Sequence, residues 1–374
     1  MPEMPQNELL GLDRQQLAAL IQSQGQPAYR AQQLFEAIYR QRASSLSQIT
    51  TLPQAFRASL AEQGIQLSLP AVDKTFASRD GTTRYLLRFA DGESVETVWM
   101  PDGDGGEAGD GSEAGEENDV SSRPWRRATI CLSSQAGCAV DCRFCMTALL
   151  GLRRNLRPGE IVGQVIAVLN LQQVSLPADR INLVFMGQGE PFLNYDNFMQ
   201  AVRLLVEGVG IPELRMTVST AGIVPRILDF GAEPVRPKLA ISLNASNDPL
   251  RSRVMPINRK WNLQELLAAA RQFPLRSRER LTFEYVLLNE VNDTLAHARE
   301  LVELLRGLRA KVNLIALNPG PDIPFATPSD RAVLAFQEVL MRAGIPAFIR
   351  RPRGRDIYAA CGQLRKAMDP IPPA

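Results

Sequence analysis

Histidine is nearly missing from this chain: His297 is the only one in 374 residues. A His-rich zinc site, or a hydrolase built around several histidines, has almost nothing to work with. Cysteine is scarce as well. The five present are an odd number, too few for a disulfide framework, and three fall within eight residues, so structural disulfides are not expected. No apolar run approaches the roughly 18 residues of a membrane helix. The start, MPEMPQNELL, lacks a basic-then-apolar leader, so a cytoplasmic protein without a membrane span is expected.

What is present reads as globular. Hydrophobic residues make up 45% and charged residues 22%, enough to bury a sizeable core. At roughly 150 residues per domain, the length suits two or three domains, or one large barrel with accessories. The formal charge of +2 conceals a segregation: 42 basic residues face 40 acidic ones. Eight of the acids, Asp102 to Asp119, lie in a Gly-rich stretch with no base, leaving 42 basic against 32 acidic residues elsewhere. That stretch has too little apolar surface to offset the entropy of ordering it, so residues 102–122 are expected to be a disordered insertion. Arg clusters at 123/126/127, 153/154/157, 276/278/280 and 350/351/353/355 suit a polyanionic partner, or else are solvated faces.

Along the chain, residues 1–70 read as helical, with Asp13 placed to cap RQQLAALIQSQG. TTRYLLRFADGESVETVWMP is two β-rich runs about an Asp-Gly turn, the pattern of a hairpin. After the acidic stretch, six apolar runs (ATICLS, RINLVFMG, LRMTVST, KLAISLN, RLTFEYVLL and KVNLIALN) alternate with helical segments, and a last helix and strand lead into an Arg-rich tail. This alternation predicts a parallel α/β sheet, either open or a partial barrel, with ligands at the strand C-terminal ends.

The loop after the first of these runs carries Cys138-x3-Cys142-x2-Cys145. Thiolates at such spacing wrap one metal centre. A closed zinc site would need a fourth ligand, which only Cys131, Cys361, His297 or a distant carboxylate could supply. Three cysteines suit a [4Fe-4S] cluster with one iron left open. With Phe144 before the last cysteine, the array resembles the radical S-adenosylmethionine (SAM) superfamily, in which the open iron is chelated by SAM. Met186-Gly-Gln-Gly-Glu-Pro191 resembles the superfamily's Gly-Glu motif, so Gly189 and Glu190 are expected to hold the SAM amino group. Ser219, Ser242, Leu243, Asn244 and Asn318, at later strand ends, complete the expected SAM contacts; relatives commonly carry histidine in place of Asn244.

The order TICLSSQAGCAVDCRFC, Gly-Glu-Pro, Asn-Pro, then DIYAACGQL is similar over nearly the whole chain to the RlmN-type enzymes, which methylate adenine C2 in 23S ribosomal RNA and in transfer RNA. Carbon 2 of adenine is electrophilic, so direct transfer of a methyl cation cannot work. The resemblance implies that Cys361 takes a methyl group from one SAM as nucleophile. A second SAM, cleaved at the cluster on Cys138, Cys142 and Cys145, supplies a radical that activates that methyl group for addition to C2. Glu96 then removes the C2 proton, and Cys131 attacks Cys361 to release the RNA. Every cysteine thus has a task.

The implied fold is α/β: a partial (β/α)6 radical SAM barrel at 123–352, preceded by a helical RNA-binding domain (1–72), a β-hairpin extension (73–101) and the insertion (102–122), and followed by a segment carrying Cys361 (353–374). Implied partners are 23S rRNA and tRNA, an electron donor such as flavodoxin or ferredoxin, and a disulfide reductant, acting on a monomer. Competing readings are an adenine C8 methyltransferase with the same five cysteines, a radical SAM enzyme acting on a peptide or small molecule, and a zinc-stabilised, non-catalytic RNA-binding protein.

Overall fold

A computed structural model describes residues 7–101 and 127–365. The expected insertion at 102–122, with Arg123 and Arg126, lies outside the described residues. Strands are β1 (Ala71–Ala77), β2 (Thr83–Arg88), β3 (Ser94–Pro101), β4 (Arg127–Cys131), β5 (Gln135–Gly137), β6 (Leu152–Asn155), β7 (Arg180–Phe185), β8 (Met216–Thr220), β9 (Lys238–Ser242), β10 (Leu281–Leu287), β11 (Ala310–Ala316) and β12 (Ala347–Ile349). Ten of them form one sheet in the order β1-β2-β3-β4-β7-β8-β9-β10-β11-β12, and β5 pairs with β6.

From β4 to β12 all pairings in the large sheet are parallel. The first six of these seven strands are the six apolar runs. Helices α4 (Pro158–Leu171), α5 (Tyr195–Leu204), α6 (Val224–Ala232), α7 (Asp248–Val254), α8 (Leu263–Gln272), α9 (Leu295–Leu305) and α10 (Asp330–Arg342) lie between them in the chain. Strands buried on both faces keep near-continuous apolar runs, as in Leu239–Ile241. This is the partial barrel of a radical SAM fold.

The hairpin forms as expected: β2 pairs with β3 antiparallel, Arg88 opposite Ser94, and Gly92 takes φ +85° in the turn. It is not a detached appendage. β3 continues the barrel sheet through antiparallel pairing with β4, setting Val98 opposite Cys131. β1 adds a third strand to the hairpin that its sequence does not announce, because AVDKTFA is mostly exposed and lacks apolar alternation.

The N-terminal region holds α1 (Arg14–Ser23), α2 (Tyr29–Phe35) and α3 (Gln54–Glu62). Asp13 caps α1 as expected, accepting from Gln16 N while the Gln16 side chain accepts from Asp13 N. The N-terminal region meets α4, whose residues Pro158 through Leu169 are all buried, through the Leu10–Gly11 segment ahead of α1 and through Arg42, whose carbonyl accepts from Asn170 Nδ2. The approach needs glycine: a Cβ on Gly159 would sit 2.1 Å from the Leu10 carbonyl oxygen. Nearby, the Tyr39 hydroxyl accepts from Gly11 N and donates to the Leu12 carbonyl. The result is one continuous core from the helical region into the barrel.

Candidate active site

Loops leaving β4, β7, β8, β9 and β11 meet at the end of the barrel where a parallel sheet presents its ligand site. Cys138, Cys142 and Cys145 line one cavity, together with Gly189, Glu190, Ser219, Ser242, Asn244, Asn318 and Cys361. Nearly all the expected ligands thus share one space. Leu243 is the exception. Its side chain is fully buried in the core, and only its backbone serves the site, donating to the Glu284 carbonyl and accepting from Arg251 Nε.

The Gly-Gln-Gly-Glu turn folds as it does for steric reasons. Gly189 has φ +98°, and a Cβ there would meet the Gln135 side chain at 2.5 Å. The turn aims Glu190 inward, where its carboxylate accepts from Phe192 N at 3.0 Å and from Ala221 N at 2.7 Å. Burial pushes this carboxyl up to about 7 despite those two donors. Asn244 takes φ +57°; its amide accepts from Val286 N and donates to Met255 Sδ, so its own hydrogen bonds are largely satisfied within the protein.

The two remaining cysteines face a second chamber inside the barrel, which adjoins the first. Cys131 lines it from the end of β4 and Cys361 from the C-terminal segment, with Met100, Pro101 and Arg350 to Arg353 on its outer side. Cys361 lines both spaces. Its loop is pinned from two directions: Met146 N donates to the Gly362 carbonyl at 2.8 Å, and Asn318 Nδ2 donates to the Cys361 carbonyl at 3.2 Å. Cys361 is exposed to these cavities, yet desolvation by the protein around it, and then the nearby Glu284 carboxylate, push its thiol up to about 11, against a smaller opposing pull from Arg350. Burial and the charge of Cys361 also raise the Cys131 thiol.

Comparison with known proteins now bears on this geometry. Residues 132–305 match the Radical SAM superfamily, and residues 7–65 match the Ribosomal RNA large subunit methyltransferase N-terminal domain. A probable dual-specificity RNA methyltransferase RlmN from Koribacter versatilis is 66% identical over 91% of this chain and 97% of its own. The dual-specificity RNA methyltransferase RlmN of Rhodospirillum rubrum is 42% identical over 97% of this chain and 82% of its own. The chain belongs to the RlmN family. A crystal structure of a radical SAM methyltransferase from Sphaerobacter thermophilus superimposes with TM-score 0.85 at 42% identity, covering 96% of this chain and 99% of that one.

Membership in the RlmN family, and so in the radical SAM superfamily, implies a [4Fe-4S] cluster and SAM, and the donor set can be tested against them. Among the described residues no three His, Cys, Asp or Glu side chains close around a single ion. The three thiols instead stand on the wall of one cavity, as a multi-atom cluster requires. Burial, together with the charge of neighbouring thiols and of Glu190, pushes Cys138 up to about 12 and Cys142 well above its ordinary value. Two thiols raised in this way become thiolate only with metal to compensate them. The residues fit the group.

Glu96 does not line either cavity. It is fully buried on β3, with Oε1 paired to Arg84 at 2.5 Å and Oε2 accepting from Gln188 Nε2 at 3.1 Å. Burial pushes it up to about 7 against the pull of Arg84. Gln188 belongs to the Gly-Glu turn, so Glu96 supports that turn from behind. Two of the basic residues expected to face a polyanion are also engaged: Arg154 pairs with Asp91 and Glu160, and Arg157 with Glu160, stapling the hairpin turn to α4. One residue that the pattern of strands does not single out is Glu284 on β10. It lines both cavities, and its Oε2 accepts from Ser219 Oγ and Ser242 Oγ. A carboxylate in the middle of a strand that reads as buried was the available signal.

Proposed function

We propose that this chain methylates C2 of adenine in 23S ribosomal RNA and transfer RNA, using two SAM molecules per turnover and an S-methylcysteine at Cys361. The observation that carries this reading is the position of Cys361, on the shared wall between the cavity of the three cluster cysteines and the chamber of Cys131. One thiol can then receive a methyl group on one side and be attacked by its partner thiol on the other.

Cys138, Cys142 and Cys145 would hold the [4Fe-4S] cluster, which when bound supplies the electron that cleaves SAM reductively. Glu190 is placed to pair with the SAM ammonium, and Ser219, Ser242, Asn244 and Asn318 to contact the rest of the molecule. Cys361 attacks the SAM methyl group, forming its S–CH3 bond and losing its thiol proton. With RNA joined to that carbon, the C2 proton passes to Glu96, the acceptor the family resemblance implies; because Glu96 lines neither cavity, its carboxylate must first leave Arg84 and Gln188 and turn toward the chamber. Cys131 then attacks Cys361; the S–S bond forms as the bond from Cys361 to the methylene breaks, the Cys131 thiol gives up its proton and the methylene carbon takes one up to become the product's methyl group, and the RNA leaves. Resetting the pair takes a thiol reductant, and the cluster an electron donor of the flavodoxin or ferredoxin kind; the chain acts as a cytoplasmic monomer.

The base must be splayed from its stack to reach this interior. Arg351, exposed and lining the chamber, and the exposed Arg355 of the same segment suit the phosphates that accompany it. The deciding test is anaerobic turnover with RNA, then nucleoside digestion and mass spectrometry against C2- and C8-methyladenosine standards. 2-Methyladenosine is the expected product, and exclusive 8-methyladenosine overturns the reading.

A further inference from the structure

The chamber shared by Cys131 and Cys361 extends down the barrel axis to Thr129, Thr217, Thr282 and Asn313, on β4, β8, β10 and β11. All four side chains are more than nine-tenths buried. Thr129 Oγ1, Thr217 Oγ1 and Asn313 Oδ1 have no hydrogen-bond partner within the protein. Buried polar atoms seldom stay unpaired, and ordered water is the usual bridge between such groups where an otherwise apolar chamber brings several of them together. Above this ring sits Glu284, the one carboxylate among the described residues lining the chamber. In the sheet it neighbours Ser242 on one side and Asn313 on the other. Two serine hydroxyls fix its Oε2. Facing it are Cys131 from β4, Cys145 from the cluster loop, Arg350 beyond β12, and Cys361.

We propose that Glu284 is a further catalytic residue, the acceptor of the proton that Cys361 loses when it is methylated, and that the ring of Thr129, Thr217 and Asn313 carries that proton away through water. The inference rests on the function proposed above. The step balances without another reactant: the Cys361 S–H and the SAM S–CH3 bonds break, and the Cys361 S–CH3 bond forms. The sulfonium becomes a neutral thioether, and the proton passes to Glu284. Glu96, paired with Arg84 outside the chamber, cannot serve this thiol, and Glu190 is held by two backbone amides. The field of Glu284 raises both thiols, as expected of a carboxylate that faces them.

The test uses reconstituted holoenzyme with SAM and no RNA, following methylation of the Cys361 peptide by mass spectrometry. Glu284→Gln is expected to slow loading by about 100-fold or more, the worth of a general base, with SAM affinity by equilibrium dialysis unchanged. Glu284→Asp should recover part of the rate. Removing the charge should also speed alkylation of Cys361 by iodoacetamide at neutral pH, opposite to the effect on loading; a merely structural loss would not split the two. Thr217→Val, which keeps the shape and removes one unpaired hydroxyl, should slow loading by less and remains available should the Gln variant misfold. Loading at the wild-type rate in these variants overturns the proposal. So does SAM affinity that falls in step with loading, which would make Glu284 a SAM contact. Absence of methyl on wild-type Cys361 would instead sink the reading beneath it, while the alkylation comparison would still report on Glu284.

Discussion

The Arg353 guanidinium lies 3.2 Å from the Asp80 carboxylate, clasping the segment that carries Cys361 to the turn between β1 and β2. The same carboxylate accepts from Gly354 N at 2.9 Å, and Arg353 Nη2 donates to the Asp80 and Pro101 carbonyls. Beside it, Ser78 donates to Asp356. Beneath these polar ties, Val98, Ile357, Ala359 and Leu364 form a small separate core between β3 and the tail. The hairpin extension therefore sets where the Cys361 thiol stands.

Replacing Asp80 with Ala should loosen that segment rather than unfold the protein. The half-exposed ion pair contributes about 0–1 kcal/mol and the lost hydrogen bonds about 1 kcal/mol each. Hydrogen exchange at the Gly354 amide should quicken, and methyl loading of Cys361 should slow, with iron content unchanged. Unaltered exchange would show that the apolar contacts alone position the loop.

Arg84 and Glu96 form a buried pair with both side chains essentially inaccessible. Arg84→Ala leaves the Glu96 charge uncompensated and should cost about 3–5 kcal/mol, read as a lower midpoint in chemical denaturation. Glu96→Gln keeps a hydrogen-bonding group against Gln188. It should retain SAM binding and Cys361 methylation while blocking release of 2-methyladenosine. A Glu96→Gln enzyme that turns over normally removes Glu96 from the proton-transfer step.

Glu190 gives a pH dependence of definite sign. Its carboxyl stands near 7 in the free protein, and an ammonium ligand binds the ionised form and lowers that value. SAM affinity should therefore rise as pH increases through about 7, with proton uptake on dissociation, and should weaken below it. Isothermal titration in buffers of different ionisation enthalpy checks this. A flat profile from pH 6 to 8 argues that Glu190 does not meet the ammonium.

The two chamber thiols separate by the species each leaves behind. Cys361→Ala should give no methylated protein and no product. Cys131→Ala should load methyl, react with RNA and stop as a covalent protein–RNA adduct, visible as a shifted band on a denaturing gel. Free RNA after turnover by the Cys131→Ala protein would end the resolving role.

Much of this was legible in the residues. The cysteine spacing, the Gly-Glu turn and the six apolar runs locate the barrel, its mouth and most cavity-lining side chains, because short-range spacing and strand burial are written locally. Asp13 and the Asp91–Gly92 turn behave as their local chemistry dictates. Less legible were the features made by tertiary contact. β1 exists because β2 offers it an edge, the Asp80 clasp joins positions far apart in sequence, and Leu243 turns inward although its neighbours face the ligand space. Glu284 was passed over because one acid inside a buried strand carries no local pattern. Its importance appears only when Ser219 and Ser242 are brought beside it.

The antiparallel match of β3 with β4 sets Pro101 opposite Ala128, so the chain leaves the sheet and re-enters it at neighbouring positions. Whatever length lies between, the two ends are held together by hydrogen bonds already made, and longer connections add closure entropy only slowly. This joint is a natural splice point. Chain can be lengthened, trimmed or exchanged there without moving Cys131 or the strand that supports it, making it the place to graft a reporter or an RNA-recruiting module onto this scaffold.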